Sequence, residues 1–476
     1  MKVNKIIISA VVVLSSATAF AQAPHSGYFM DSMPNRHQLN PAFANEYNYV
    51  NMPIIPGFSG LAVGMNGNIG LDKFLFKRNG ELVTGLNNQV SAEEFLGGLN
   101  DNNYMEANVT YDIFSMGFKK WGGYNTIGLS VKSNTGIGLP YDLFDFAKRG
   151  QVGGEYTAYD IGDMKVRTNN YAELAFGHSH ALSSKVSIGA KLKYIAGIAH
   201  ADMEINQMDV TMGADKWSIR EAGEMFYSEA LDIIYKENGE IDDMDFGKIN
   251  LAGNGFGIDL GVTYSPIRDL TLSASVLDLG FISWKGTNAV LSDKAFEFDG
   301  FHHLVAEDDE TGESALDREG DQLEDDLREL VRFSHESSTS KSQSLATTLN
   351  IGAEYSILAR KISFGVLSSN RFGGIQSWNE VMLSANFRPA RWFNATLNGS
   401  FSNLGNSFGA LMNFCPKGFN FYIGSDYIPT KYAKQGVPVS SAKINVVMGM
   451  AFKFGYGEKK KAEKGEKKKA EKLEKL

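Results

Sequence analysis

The chain has 476 residues, 21% of them charged and 43% hydrophobic, with 50 glycines, 11 prolines and a single cysteine. Its length suits two or three ordinary domains or one large barrel, and the lone Cys415 excludes a disulfide scaffold or a multi-cysteine metal site. A net charge of −9 argues against a nucleic-acid partner.

At the N-terminus, Lys2 and Lys5 precede an apolar run from Ile6 to Leu14 and then Ala19-Phe20-Ala21. This is the pattern of a secretory signal peptide cleaved after residue 21, with an apolar run too short to span a bilayer. No later run of about 18 apolar residues follows, so the exported chain is expected to be either water-soluble or a β-barrel. Residues 22–57 hold five of the 11 prolines, which excludes a regular strand or helix there. The same segment carries Tyr28, Phe29, Phe43, Tyr47 and Tyr49, a set that packs more readily than it floats. It is expected to enter a lumen as a plug, with a flexible periplasmic arm as the alternative.

From Phe58 to about residue 456 the dominant signal is alternation with period two, in segments of about 10 to 15 residues. Val186, Ile188, Ala190, Leu192 and Tyr194 point one way, and Lys185, Ser187, Gly189, Lys191 and Lys193 the other. Fourteen such segments are predicted. Every second connection is a tight turn, around residues 122–123, 183–184, 266–267, 359–360, 389–390 and 416–417. All the long connections, including 201–253 and 284–343, fall between the others. Short turns on one rim and long loops on the other mark an outer-membrane barrel. A two-sandwich secreted protein also alternates, but its strands run about 5 to 6 residues and its inner face is apolar. Here the second face is rich in Gly, Ser, Thr and Asn, as at Asn394, Thr396, Asn398 and Ser400. The predicted fold is therefore all-β: a transmembrane antiparallel up-and-down barrel of about 14 strands with short helices in the outer loops.

Several short stretches resemble a known family: Leu39-Asn40-Pro41-Ala42, Leu139 to Gly150, Tyr171-Ala172-Glu173, Gly189 to Lys193 with Gly197, Leu277-Asp278-Leu279-Gly280 with Trp284, and Ile351 to Tyr355. Their order resembles that of uncharacterised outer-membrane barrels of Bacteroidota carrying a domain of unknown function. These in turn are similar in design to the fourteen-strand barrels of long-chain fatty-acid transporters. The resemblance implies an outer-membrane location and an N-terminal hatch, and brings no catalytic residue with it.

The lumen is where function is expected. Polar-face charges include Glu106, Asp112 and Lys132, and the lumen candidates are Glu173, Lys191, Lys193, Asp259, Glu354, Glu380, Arg388 and Lys453. Keeping both apolar faces outward places Glu173 opposite Lys193 or near it. Mixed signs argue against a strong ion filter. In the outer loops, Ser91-Ala92-Glu93-Glu94 matches a capping box, and Phe226, Ala230, Ile233 and Ile234 follow helical spacing. Twelve acidic residues lie between Glu307 and Glu329, in a loop without EF-hand spacing that reads as solvated. His178 and His180 share the face of Leu174 and Phe176, with no third ligand or catalytic order apparent, and Cys415 reads as a lone thiol. No metal, cofactor or enzymatic activity is expected.

Residues 457–476 repeat Glu-Lys-Lys-Lys-Ala-Glu-Lys and carry +4. With that tail and the two signal-peptide lysines set aside, the body carries −15. An even strand number returns both ends to the periplasm. There the tail is expected to be a charged extension, with docking to an anionic envelope polymer or a protein partner as the alternative. The expected role is a conduit or transporter for a small or hydrophobic solute, with outer-membrane lipid as its surroundings. The second reading is a surface or secretion-associated scaffold that binds a partner through its loops or tail.

Overall fold

The computed structural model describes residues 24–51, 60–70, 73–79, 81–152, 156–235, 241–246, 251–298, 333–429 and 443–455. The expected signal peptide, most of the acidic loop and the Lys/Glu tail lie outside them. Fourteen antiparallel strands close into a barrel. The first, β1, has two segments, Asn48–Asn51 and Leu61–Gly67. Thirteen more follow in chain order: β2 Asn102–Lys120, β3 Gly123–Pro140, β4 Met164–Ala181, β5 Val186–Met212, β6 Gly253–Ile267, β7 Leu270–Phe298, β8 Thr347–Ile357, β9 Ile362–Phe372, β10 Trp378–Ala390, β11 Phe393–Ser402, β12 Ser407–Phe414, β13 Phe419–Ile428 and β14 Ile444–Phe454. Neighbours in sequence pair with one another. Closure runs through β1, which pairs with β14 at Val50↔Phe452 and Val63↔Val446, and with β2 at Asn51↔Ser115 and Asn66↔Glu106. The barrel therefore begins at Asn48, and the expected boundary at residue 58 moves forward because the alternation of Asn48 to Asn51 is too short to be seen against the surrounding prolines.

Alternation decides which face of each strand meets what. On β5, Leu192 is 63% exposed on the outside while Lys193 is 4% exposed within. The same holds for Val366 and Phe364 on β9 and for Leu383 and Val381 on β10. Taking each such side chain out of water is worth about 1.5–3 kcal/mol, so a continuous outward apolar band is a surface made for lipid. Aromatics edge the band on both sides: Tyr264, Tyr355 and Phe387 towards the short turns, Phe256, Phe372 and Phe401 towards the long loops. No helix among the described residues is long and apolar enough to cross a membrane. The barrel spans with its strands.

Four of the six tight turns carry a proline or glycine, those at 122–123, 266–267, 389–390 and 416–417, while Ser183-Ser184 and Ala359-Arg360 turn without one. One is held by Trp121 and Gly122 with φ of 54° and 73°, another by Leu358, Ala359 and Arg360, all with positive φ. On the opposite side, β5 and β7 run 27 and 29 residues, about 90 Å each at 3.3 Å per residue and far beyond a band about 25 Å tall. Strand Trp217–Ser228 fits between them, pairing with β5 at Met225↔Met203 and with β7 at Met225↔Ala289. The helix expected around Phe226 to Ile234 is therefore corrected. Phe226 is in this strand, and Leu231–Tyr235 forms a hairpin with Ile241–Phe246; pairing partners on both sides override a weak local 3.6 spacing. Two outer helices do form, α1 at Ala92–Leu96 and α2 at Tyr141–Arg149. Of the expected capping box the serine half forms at α1, where Ser91 Oγ accepts from the Glu94 amide at 3.1 Å, while the Glu94 carboxylate pairs with Arg78 instead of reaching back.

Candidate functional site

Residues 24–47 lie inside the barrel, bent by short 3-10 turns at His25–Gly27 and Pro34–Gln38. Tyr28, Phe29 and Phe43 are buried and pack on Leu367 and Met382 of the wall, while Met30 and Met33 meet Leu411 and Tyr422. Small inner-face residues make room. A Cβ at Gly189 would collide with Pro41 and Ala42, one at Gly261 with Asn40 and Pro41, and one at Gly352 or Gly365 with Tyr28 or Phe29. The glycines on the polar faces thus mark where the segment presses on the wall.

Side chains from around the barrel hold this segment. Asp426 accepts from the backbone amides of His25 and Ser26 at 2.9 and 2.8 Å and from the Ser26 hydroxyl. His25 Nδ1 lies 3.0 Å from Glu380 Oε1, and Glu380 Oε2 accepts from Tyr427 and from Lys443 at 3.0 and 3.2 Å. Arg388 donates to the Phe29 carbonyl at 2.6 Å and to Glu354 at 2.8 Å. Asp31 pairs with Arg36 and with Arg388 and Arg360 at 3.4 and 3.5 Å. Further on, Asn35 and Gln38 donate to Asp112, Lys191 donates to the His37 carbonyl, and Ser275 and Asn350 donate to the Leu39 carbonyl. Tyr49, on β1 rather than in the segment, bonds His37 at 2.6 Å and Ser115 at 2.8 Å. Lys453 donates to the Cys415 carbonyl at 2.8 Å and lies over the Tyr47 ring. Among the described residues no backbone-to-backbone hydrogen bond joins residues 24–47 to the wall.

Burial and charge act on the segment's own titratable groups. Burial lowers the pKa of His25, but the hydrogen bond and charge of Glu380, with Asp426, outweigh it and leave His25 above its ordinary 6.5. His37 goes the other way, pushed well below 6.5 by burial and by Lys191. Burial raises Asp31, but the guanidiniums of Arg36, Arg388 and Arg360 prevail and hold it below the usual carboxylate range.

Beside the segment lies a charge cluster. Lys193 sits 2.6 Å from both Asp259 and Asp278, Lys132 is 2.7 Å from Glu173, and Lys191 is 3.7 Å from Asp259. Glu173 and Lys193, expected as a pair, are 3.9 Å apart, and the nearer partner of Glu173 is Lys132 on β3. Asp278 escapes the sequence pattern, because strict alternation from Leu277 turns it outward. A bulge on β7, where Ile258 of β6 pairs with Leu279 and Leu260 with Val276 and Asp278 stands at φ 57°, rotates it inward, where its amide donates to Asp259 at 2.8 Å. Arg371, 3.4 Å from Glu106, and the Asp426 and Lys443 anchors are further residues the sequence reading misses, although their places on inner faces follow from the alternation. The cluster lines a cavity of about 140 Å³ with Asn108, Thr348 and Asn350. Three lysines facing three carboxylates leave no field to sort ions by sign.

Outside the lumen, His178 and His180 stack at 6.0 Å on the lipid-side face. Cys415 is a free thiol buried on the inner side, where its sulfur accepts from Asn394 at 3.2 Å. No group of three or more metal-ligating side chains occurs among the described residues.

The model of the family of unknown function DUF5723 matches residues 41–426, most of the barrel. The chain belongs to that family. No curated protein matches. Among solved structures the chain is similar to the Ralstonia pickettii toluene transporter TbuX, at 9% identity over 89% of this chain and 95% of that one, with a TM-score of 0.43. It is also similar to the toluene transporter TodX of P. putida, at 10% identity over 92% and 96% with 0.39, and to a Pseudomonas aeruginosa FadL homologue, at 11% over 92% and 100% with 0.40. Each likeness is partial.

Proposed function

We propose that this DUF5723 barrel is an outer-membrane conduit for a small solute, closed by its own N-terminal segment. The observation that carries this reading is the way residues 24–47 occupy the lumen. They fill it through side-chain hydrogen bonds and packing, with no strand pairing to the wall among the described residues, so they can leave without unzipping the barrel. A closure of this kind is separable from the wall, whereas an ordinary core is not. The lining beyond it is polar and balanced in charge, which favours a small polar solute with weak ion selectivity over a hydrophobic one. The segment acts as a plug, Glu380 and Asp426 hold its first turn, and the Lys132–Glu173–Lys193–Asp259–Asp278 cluster shapes the passage next to it.

The test is planar-bilayer conductance of the mature chain against a variant lacking residues 22–47, which spares β1. Deletion is expected to raise conductance severalfold with weak cation-to-anion preference, both proteins showing the unheated gel-mobility shift of a folded barrel. Equal conductance would remove the conduit reading. In its place would stand the scaffold reading, which has one observation of its own: the stiff sheet of β5, β7 and Trp217–Ser228 rising beyond the membrane band.

A further inference from the structure

The six tight turns share a feature independent of the lumen. Lys120, Lys185 and Arg268 stand on the first three hairpins and Lys361, Arg391 and Lys417 on the last three, one on every short turn of the barrel, all exposed. None of the six has a carboxylate within 4 Å among the described residues. Two other basic residues there are already engaged, Lys119 with the Glu46 carbonyl and Arg360 with Asp31. The turns themselves carry one acid, half-buried Asp269. This basic rim belongs to a body whose net charge is −15. It also adjoins the apolar band: Trp121 and Trp392, 70% and 56% exposed, flank Lys120 and Arg391, with the Lys120 ammonium 5.1 Å from the Trp121 ring.

We propose that this rim binds the anionic headgroups of phospholipids in the periplasmic leaflet, one phosphodiester at each hairpin. Three observations select lipid as the occupant. The cations form a ring, as annular lipids do, whereas a folded partner would meet one arc. Neighbouring hairpins are about 12 Å apart, two strand spacings of about 4.8 Å opened by the strand tilt, which exceeds the Debye length of about 8 Å, so each cation acts alone. And each sits at the edge of the apolar band, two of them beside an exposed tryptophan, the depth of headgroups.

The experiment is native mass spectrometry of the mature protein in zwitterionic detergent with added phosphatidylglycerol or phosphatidylcholine of the same acyl chains. Phosphatidylglycerol is expected to be retained about fivefold better per site, the ratio for about 1 kcal/mol per basic residue. The preference should fall with salt, disappear when all six residues are changed to glutamine, and survive removal of residues 457–476. If the sixfold variant does not fold, the two threefold variants, Lys120/Lys185/Arg268→Gln and Lys361/Arg391/Lys417→Gln, are each expected to lose half the bound anionic lipid. Equal retention of the two lipids overturns the proposal, as does a preference that persists in the glutamine variants or that vanishes with the tail alone. Full displacement by water-soluble glycerophosphoglycerol at equal concentration also overturns it, by showing a free-phosphate site.

Discussion

Replacing Asp426 by alanine removes the acceptor of two backbone amides and one hydroxyl of the lumenal segment. A hydrogen bond to a charged group contributes about 1.5–3 kcal/mol, and a buried amide left without an acceptor costs about 1–3 kcal/mol. The two amides alone therefore weaken the docked state by about 3 kcal/mol even at modest values, partly offset because the carboxylate no longer has to be buried. A change of about 3 kcal/mol multiplies the ratio of undocked to docked segment by about 150. The wall itself keeps the local ladder, since the Asp426 and Tyr427 amides still donate to Asn445 Oδ1 at 2.6 and 3.1 Å. Open probability in planar bilayers reads the shift, with the gel-mobility shift as the check that the barrel is folded. An open probability within twofold of the parent, in a folded barrel, would falsify the assignment of Asp426 as an anchor.

His25 supplies a pH dependence. Its pKa in the docked state is raised above the free value of 6.5, so the stabilisation is complete below 6.5 and is lost as pH rises through the raised pKa; conductance is expected to climb on the alkaline side, and His25→Gln should flatten that part of the profile. On the lipid face, Leu383→Arg places a cation in mid-strand on β10 and should lower folding stability in bilayers by about 2–4 kcal/mol, measured by urea titration of the folded gel form, whereas a loss below about 1 kcal/mol would deny that this face meets lipid. Protease added to sealed cells should cut within residues 284–343 and spare 457–476, because fourteen strands return the C-terminus to the side of the short turns; cleavage of the tail would reverse the orientation.

The barrel is legible in the sequence because its signal is local and repeated. A period of two depends only on neighbouring residues, and fourteen repetitions fix the strand number, the inner and outer faces and the sides of the short and long connections. Alternation alone puts Lys191, Lys193, Asp259 and Glu380 on inner faces. What those residues meet cannot be read the same way. Glu173 finds Lys132 on β3 ahead of Lys193 on β5, and Asp278 enters the cluster only because one bulge shifts its strand by a residue. Phe226 lies in a strand because β5 and β7 extend far enough to pair on both sides of it. The prolines and aromatics of residues 24–47 predict packing, but not against which wall; Gly189, Gly261, Gly352 and Gly365, from four strands of the barrel, jointly shape that space. Alternation determined which way each side chain points, and closure of the barrel, with its register and bulges, decided which side chains come within reach of one another.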